Sequence, residues 1–288
     1  MIVEWLFEPF QYMFMTRALV GTSLVAVLSA VIGTFIVLKG LAFIGDAIAH
    51  TSFSGIAVAL LLGINLYIGS MIFALITAVG VTFLNRSAKI RNDTALAILF
   101  TGAFAFGVIL MTTMPNFAGD LSALLLGSVL GIRLLELYWI AGAVIVIGAL
   151  MILAFQQLVF VSFDPVGAEA AGLPVVGLQM LLMIMVGISV VVSLQAVGVI
   201  LVMALLITPA ATASLFTKRL SHMMMLAGVF GLLATWFGLL ISYHVGAPPG
   251  ATVVLVATLE FAIGMFVSKL KTSIWVTRHS TQRSHGGN

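Results

Sequence analysis

The 288-residue chain contains no cysteine and very little charge. The missing thiols exclude a disulfide framework, a thiolate metal site and redox thiol chemistry. Charged residues make up 7% of the sequence, against about 25% in an ordinary soluble domain. Hydrophobic residues make up 62%, and the mean hydropathy is +1.27. Even a domain of about 300 residues buries only about 75% of the surface its unfolded chain exposes. The apolar remainder must therefore face lipid, which excludes a soluble enzyme, a nucleic-acid-binding domain and a disordered chain. Gly-x-Ser-x-Gly, His-Glu-x-x-His and P-loop patterns are also missing from the sequence. The chain is thus expected not to be an enzyme, and any ATP hydrolysis belongs to another chain. The first ten residues carry Glu4 and Glu8 and no base precedes Arg17. This is not the positive flank of a signal peptide, so the first apolar span is expected to be retained.

What is present is a series of long uncharged stretches. Crossing about 30 Å of hydrocarbon takes about 20 helical residues. By that measure the sequence predicts spans at 18–38, 46–63, 66–84, 94–113, 136–155, 175–193, 197–217, 223–243 and 250–269. The fold class is an all-α polytopic transmembrane helix bundle of about nine spans, with eight to ten as the range. It is read as a single transmembrane domain over 1–288, with a membrane core at 16–271 and a polar tail at 272–288 expected to fray. Gly63-Ile64-Asn65 reads as a turn, and so does the polar stretch 192–198 between two spans. Pro115–Asp120 and the apolar piece that follows, to Gly131, are too short to span and read as a re-entrant or interfacial segment.

The basic residues set an orientation. Lys39, Arg86, Lys89, Arg91, Lys218, Arg219, Lys269, Lys271, Arg278 and Arg283 fall on one side under the nine-span reading, and only Arg17 and Arg133 on the other. The N-terminus is therefore expected outside and the C-terminus in the cytoplasm. The net charge of +3 reflects these loops rather than a nucleic-acid surface.

Two polar signals stand out. Asp46 and His50 lie four residues apart, so a helix projects both from one face. A carboxylate and an imidazole facing the same way are half of a site for a divalent cation. The bland alternative is an Asp capping the start of a span, with His50 bonded to a nearby carbonyl. Thr51, Ser52 and Ser54 add hydroxyls close by. Glu260 sits in the middle of the last span, where an ionisable group is a site candidate or a protonated carboxyl bonded inside the bundle. His244 reads as a loop histidine, and His222, His279 and His285 as cytoplasmic surface. The second signal runs from Phe163 to Pro174. Asp164 can cap a helix that begins at Pro165, with Glu169 on it; Gly172 can end it and Pro174 stop it. Such a short bounded helix between two spans is either an ordinary loop helix or a docking element.

FIGDAIAHTSFSGIAVALLLG, DLSALLLGSVLG, DPVGAEAAGLPV, GVILVMALLITPAATA and PPGATVVL occur in this order between about Arg17 and Lys271. Together they resemble the integral-membrane permease subunits of ATP-binding-cassette importers for manganese, zinc or iron. These are related in architecture to the cobalamin and siderophore permeases. The resemblance implies a homodimer around a central path in a bacterial inner membrane. It implies cytoplasmic ATPase subunits docked on 163–174, through Asp164, Pro165, Glu169, Gly172 and Pro174, and an extracytoplasmic solute-binding protein that delivers the metal. It places Asp46 and His50 on the translocation path, while Glu260 matches no family motif. No covalently bound cofactor is implied; the metal is cargo. Carboxylate and imidazole donors without cysteine suit Mn²⁺, Fe²⁺ or Zn²⁺, with manganese preferred and a zinc or iron importer as the alternative. A proton-driven transporter with Asp46, His50 and Glu260 as a relay, and a purely structural membrane scaffold, are the readings from other classes.

Overall fold

The computed structural model describes residues 8–87, 91–113 and 127–284, without the side chains of 86, 87, 92 and 271–284. Its regular elements are helical. They are α1 (Met13–Leu38), α2 (Ile44–Leu62), α3 (Leu66–Ser87), α4 (Asn92–Thr112), α5 (Leu134–Phe163), α6 (Pro165–Ala170), α7 (Val175–Val197), α8 (Val199–Ser214), α9 (Leu220–Val245) and α10 (Pro249–Ser284). Short 3-10 turns cover Glu8–Gln11 and Val129–Gly131. Residues 114–126, which hold most of the expected re-entrant segment, lie outside the described residues.

Eight of these helices are long and apolar enough to cross a membrane. The span expected at 197–217 corresponds to α8, a shorter apolar helix of 16 residues, about 24 Å long at 1.5 Å per residue. Gly198 adopts φ 85° and ψ 165°, a region open essentially to glycine alone, and so separates α7 from α8. Pro209 lies inside α8 and has no N–H to give to the Leu205 carbonyl. The polar stretch read as a turn from 192 is helical as far as Val197, and Gly198 alone makes the break.

Three other boundaries move. α1 begins at Met13, so Arg17 sits within the helix rather than in front of it. α5 runs 30 residues, to Phe163, past the expected end at 155. α10 extends as helix to Ser284, into the segment expected as a tail.

α1, α2 and α7 form the interior, whereas α4, α5 and α10 leave most of their apolar surface outward. α2 and α3 form a hairpin with α4 against α2, and α7 packs between α3 and α5. α1 meets α5, α8 and α9, and α10 lies on α8 and α9. Lipid tails are as apolar as the helices, so association rests on close packing and satisfied polar groups. Gly55 and Gly69 illustrate this at the α2–α3 crossing, where a Cβ on either would lie 2.2 Å from the other's carbonyl oxygen. Buried hydroxyls are satisfied along their own helices: Ser52 donates to the Ile48 carbonyl at 2.7 Å, Ser189 to Met185 at 2.7 Å and Thr212 to Thr208 at 2.8 Å. This back-bonding spares these hydroxyls from needing a partner in the bilayer.

Candidate metal path

Asp46 stands in the first turn of α2. It is not a cap: Phe43 occupies the N-cap position and makes no side-chain bond there. Its Oδ1 instead lies 3.4 Å from His50 Nε2, one turn along. The spacing therefore does what a helix dictates, and both donors face one point. The Asp46 side chain is 44% exposed and that of His50 is 25%, so the carboxylate opens outward while the imidazole is held inside. The His50 ring is fixed by hydrocarbon rather than by hydrogen bonds. It meets Phe100 of α4 at 5.1 Å between centroids and Phe104 at 5.5 Å with the rings at 85°. Its Nδ1 is buried without a hydrogen-bond partner. These rings hold Nε2 towards Asp46.

The neighbouring hydroxyls do not join the pair. Thr51, Ser52 and Ser54 are fully buried. Thr51 and Ser52 donate to the Ile48 carbonyl, and Ser54 donates to the Ala103 carbonyl of α4. Glycine lets the start of α2 reach its place, because a Cβ on Gly45 would lie 2.8 Å from Met203 Sδ of α8.

Glu260 is half-buried on α10, one turn before Gly264, which packs near Thr212 of α8 and Phe216 just beyond it. It does not gather with Asp46 and His50, and no group of three His, Cys, Asp or Glu side chains that could hold a metal exists among the described residues. His244 closes α9 with its ring edge-on to Tyr243 at 5.2 Å. His222 is exposed at the start of α9. This chain alone thus offers a cation two side-chain donors, short of the four to eight ligands such ions take.

Sequence reasoning missed a polar cavity of about 570 Å³ near the Gly63–Asn65 turn. Asn65, Tyr67, Arg133, Glu136 and Gln195 line it. Gln195 Nε2 donates to Ser70 Oγ at 2.8 Å, tying α7 to α3. Asn65 Oδ1 accepts the Tyr67 N–H at 2.8 Å, and Glu136 Oε2 accepts the Arg133 N–H at 2.9 Å at the start of α5. Gln195 was legible as an amide in an apolar run, but it stood in a stretch assigned to a turn.

The 163–174 segment folds as its residues dictate. Asp164 Oδ1 accepts the Gly167 N–H at 2.8 Å, capping α6. Pro165 opens the helix, Gly172 takes φ 79° beyond its end, and Pro174 stands at the N-cap of α7. Ala168 faces inward, fully buried, while Val166 is 77% exposed and Glu169 is exposed. A short helix thus offers an apolar side chain and a carboxylate outward.

Comparison with known proteins places this arrangement. Residues 11–268 match the ABC 3 transport family. The manganese transport system membrane protein MntC of Listeria monocytogenes is 42% identical over 253 residues, which are 88% of this chain and 90% of that protein. The chelated iron transport system membrane protein YfeD of Yersinia pestis is 35% identical, covering 94% of this chain and 91% of that protein. Among solved structures, PsaBC from Streptococcus pneumoniae in complex with Fab superposes with a TM-score of 0.80 at 34% identity, covering 93% of this chain and 96% of that one. A family match across nearly the whole membrane core, and relatives this similar end to end, lead to one assignment: the chain belongs to the ABC 3 transport family and is a multi-pass membrane permease of an ATP-binding-cassette transporter.

Proposed function

We propose that this permease imports manganese(II), with Asp46 and His50 on the path of the ion. The observation that carries the reading is the helical pair itself, two convergent donors on the half-open start of α2, in a chain whose relatives include manganese transport proteins at up to 42% identity. The donor set is a carboxylate and an imidazole without thiol, the chemistry suited to Mn²⁺ and Fe²⁺. The two missing ligand positions have a ready source. A second copy related by a two-fold axis doubles the set to two carboxylates and two imidazoles. A site that is incomplete within one chain also releases its ion readily, which transport requires.

The chain acts with partners. Cytoplasmic ATPase subunits dock on α6, where Val166 and Glu169 face outward, and an extracytoplasmic binding protein delivers the ion at the opposite end. The N-terminus lies outside and the C-terminus in the cytoplasm. Iron is the second reading, favoured by the similarity to YfeD; zinc is the third.

Uptake of manganese, iron and zinc into cells lacking this chain, with and without its restoration, tests the assignment. Manganese accumulation falls in its absence and returns on restoration, and an excess of iron or zinc competes weakly. Restoration of iron uptake alone would transfer the assignment to iron. A separate expectation concerns coupling. Asp164→Ala removes the α6 cap at a cost of about 1 kcal/mol. Metal-stimulated ATP turnover of the purified complex then drops severalfold while the complex stays assembled, and unchanged turnover refutes the docking role of this helix.

A further inference from the structure

Under the nine-span reading only Arg17 and Arg133 belong to the end opposite the ten other basic residues. The fold brings these two cations to one place. They line a cleft of about 560 Å³ between the start of α1 and the segment leading into α5. Among the described residues neither guanidinium forms an ion pair, and Arg17 Nε is buried with no hydrogen-bond partner. Arginine cannot shed its charge, and its fork of N–H donors needs acceptors. The acid nearest in sequence, Glu136, has Oε2 engaged by the backbone N–H of Arg133.

The rim of the cleft has the opposite character. Tyr12, Phe14, Leu130 and Leu134 line it and are exposed. Tyr138 and Trp139, on the next turn of α5, are exposed as well. Exposed aromatic rings at one end of a set of spans mark the depth of the headgroups. Two arginines beside exposed apolar and aromatic side chains in one cleft fit an amphiphile that carries a phosphate. Free phosphate matches the arginines but leaves the apolar side chains bare. A soluble protein's carboxylates match the arginines equally well, but they would not cover side chains that sit at the level of lipid.

We propose that this cleft is a phospholipid site, in which Arg17 and Arg133 hold the headgroup phosphate and the acyl chains lie over Phe14 and Leu134. Arginine pairs with phosphate through two parallel N–H···O bonds, so the bound lipid ties the start of α1 to the entry of α5. Nothing in this assignment depends on which metal the permease carries.

Native mass spectrometry of the detergent-purified transporter complex tests it, with phosphatidylglycerol, phosphatidylcholine and inorganic phosphate titrated separately. The wild type retains a phospholipid on each copy of this chain, and phosphatidylglycerol exchanges into the site. Arg17→Gln with Arg133→Gln weakens retention about tenfold for each arginine, whereas Arg17→Lys with Arg133→Lys keeps much of it. Equal retention by the glutamine variant overturns the proposal. So does saturation by inorganic phosphate that phospholipid fails to displace, which assigns the cleft to a free anion. Unchanged lipid retention with lost docking of the delivering protein assigns it to a protein partner and also overturns it. Should the glutamine variant fail to assemble, phenylglyoxal labelling of the wild type decides the matter. Phosphatidylglycerol shields Arg17 and Arg133 from the reagent, and absence of shielding refutes the site.

Discussion

Cells whose only copy of this permease carries Asp46→Ala accumulate no manganese above background, although the transporter assembles in normal amount. The loss is at least about a hundredfold, because even groups that merely orient a ligand are worth 10–100-fold at metal sites. Asp46→Asn gives nearly the same loss, since it keeps the shape and removes the anionic donor. His50→Gln does likewise at Nε2. Phe104→Leu produces a smaller defect, because the ring that stands edge-on to His50 at 5.5 Å orients the imidazole without touching the ion. Uptake of labelled manganese, normalised to assembled complex, is the measurement. Full uptake by the Asp46→Ala variant refutes the path drawn through α2.

The second large effect is structural. Gly55→Val places a Cβ 2.2 Å from the Gly69 carbonyl oxygen and 2.8 Å from Ser70 Cα. These are backbone atoms and cannot rotate aside, so α2 and α3 must part by about 1 Å before ordinary contact returns. A loss above about 4 kcal/mol is expected, the range reserved for such steric failures. It appears as absence of folded protein after detergent extraction. Gly102→Ala is the control. It lies in the interior of α4 with nothing within 4 Å of its Cβ position, so the substitution is neutral or stabilises by up to about 1 kcal/mol through helix propensity. If both variants extract and melt alike, close approach at the crossing is not what holds the hairpin.

Much of this was readable before any coordinates. Uncharged runs of spanning length gave the helices because lipid leaves a chain no other way to satisfy its backbone. Asp164, Pro165, Gly172 and Pro174 carry the geometry of α6 in their own stereochemistry, and all four behave as written. The Asp46–His50 pair was legible because a four-residue spacing on a helix needs no tertiary information. What failed was of another kind. Hydropathy could not place the start of α8, which is set by the backbone conformation of Gly198. It also could not assign the hydroxyls of Thr51, Ser52 and Ser54, which serve carbonyls of α2 and α4 rather than an ion. The Arg17–Arg133 cleft depends on two residues 116 positions apart that only packing brings together.

The 30 residues of α5 form a rod about 45 Å long, anchored by the Arg133–Glu136 contact at one end and running directly into Asp164 and α6 at the other. It contains no proline to absorb bending. A tilt of about 5° imposed at the α6 end therefore swings the far tip by about 4 Å, on the scale of the one-turn ratchets that switch packed helices. This beam is a mechanical lever that needs no chain of side-chain rearrangements to carry a stroke across the bilayer.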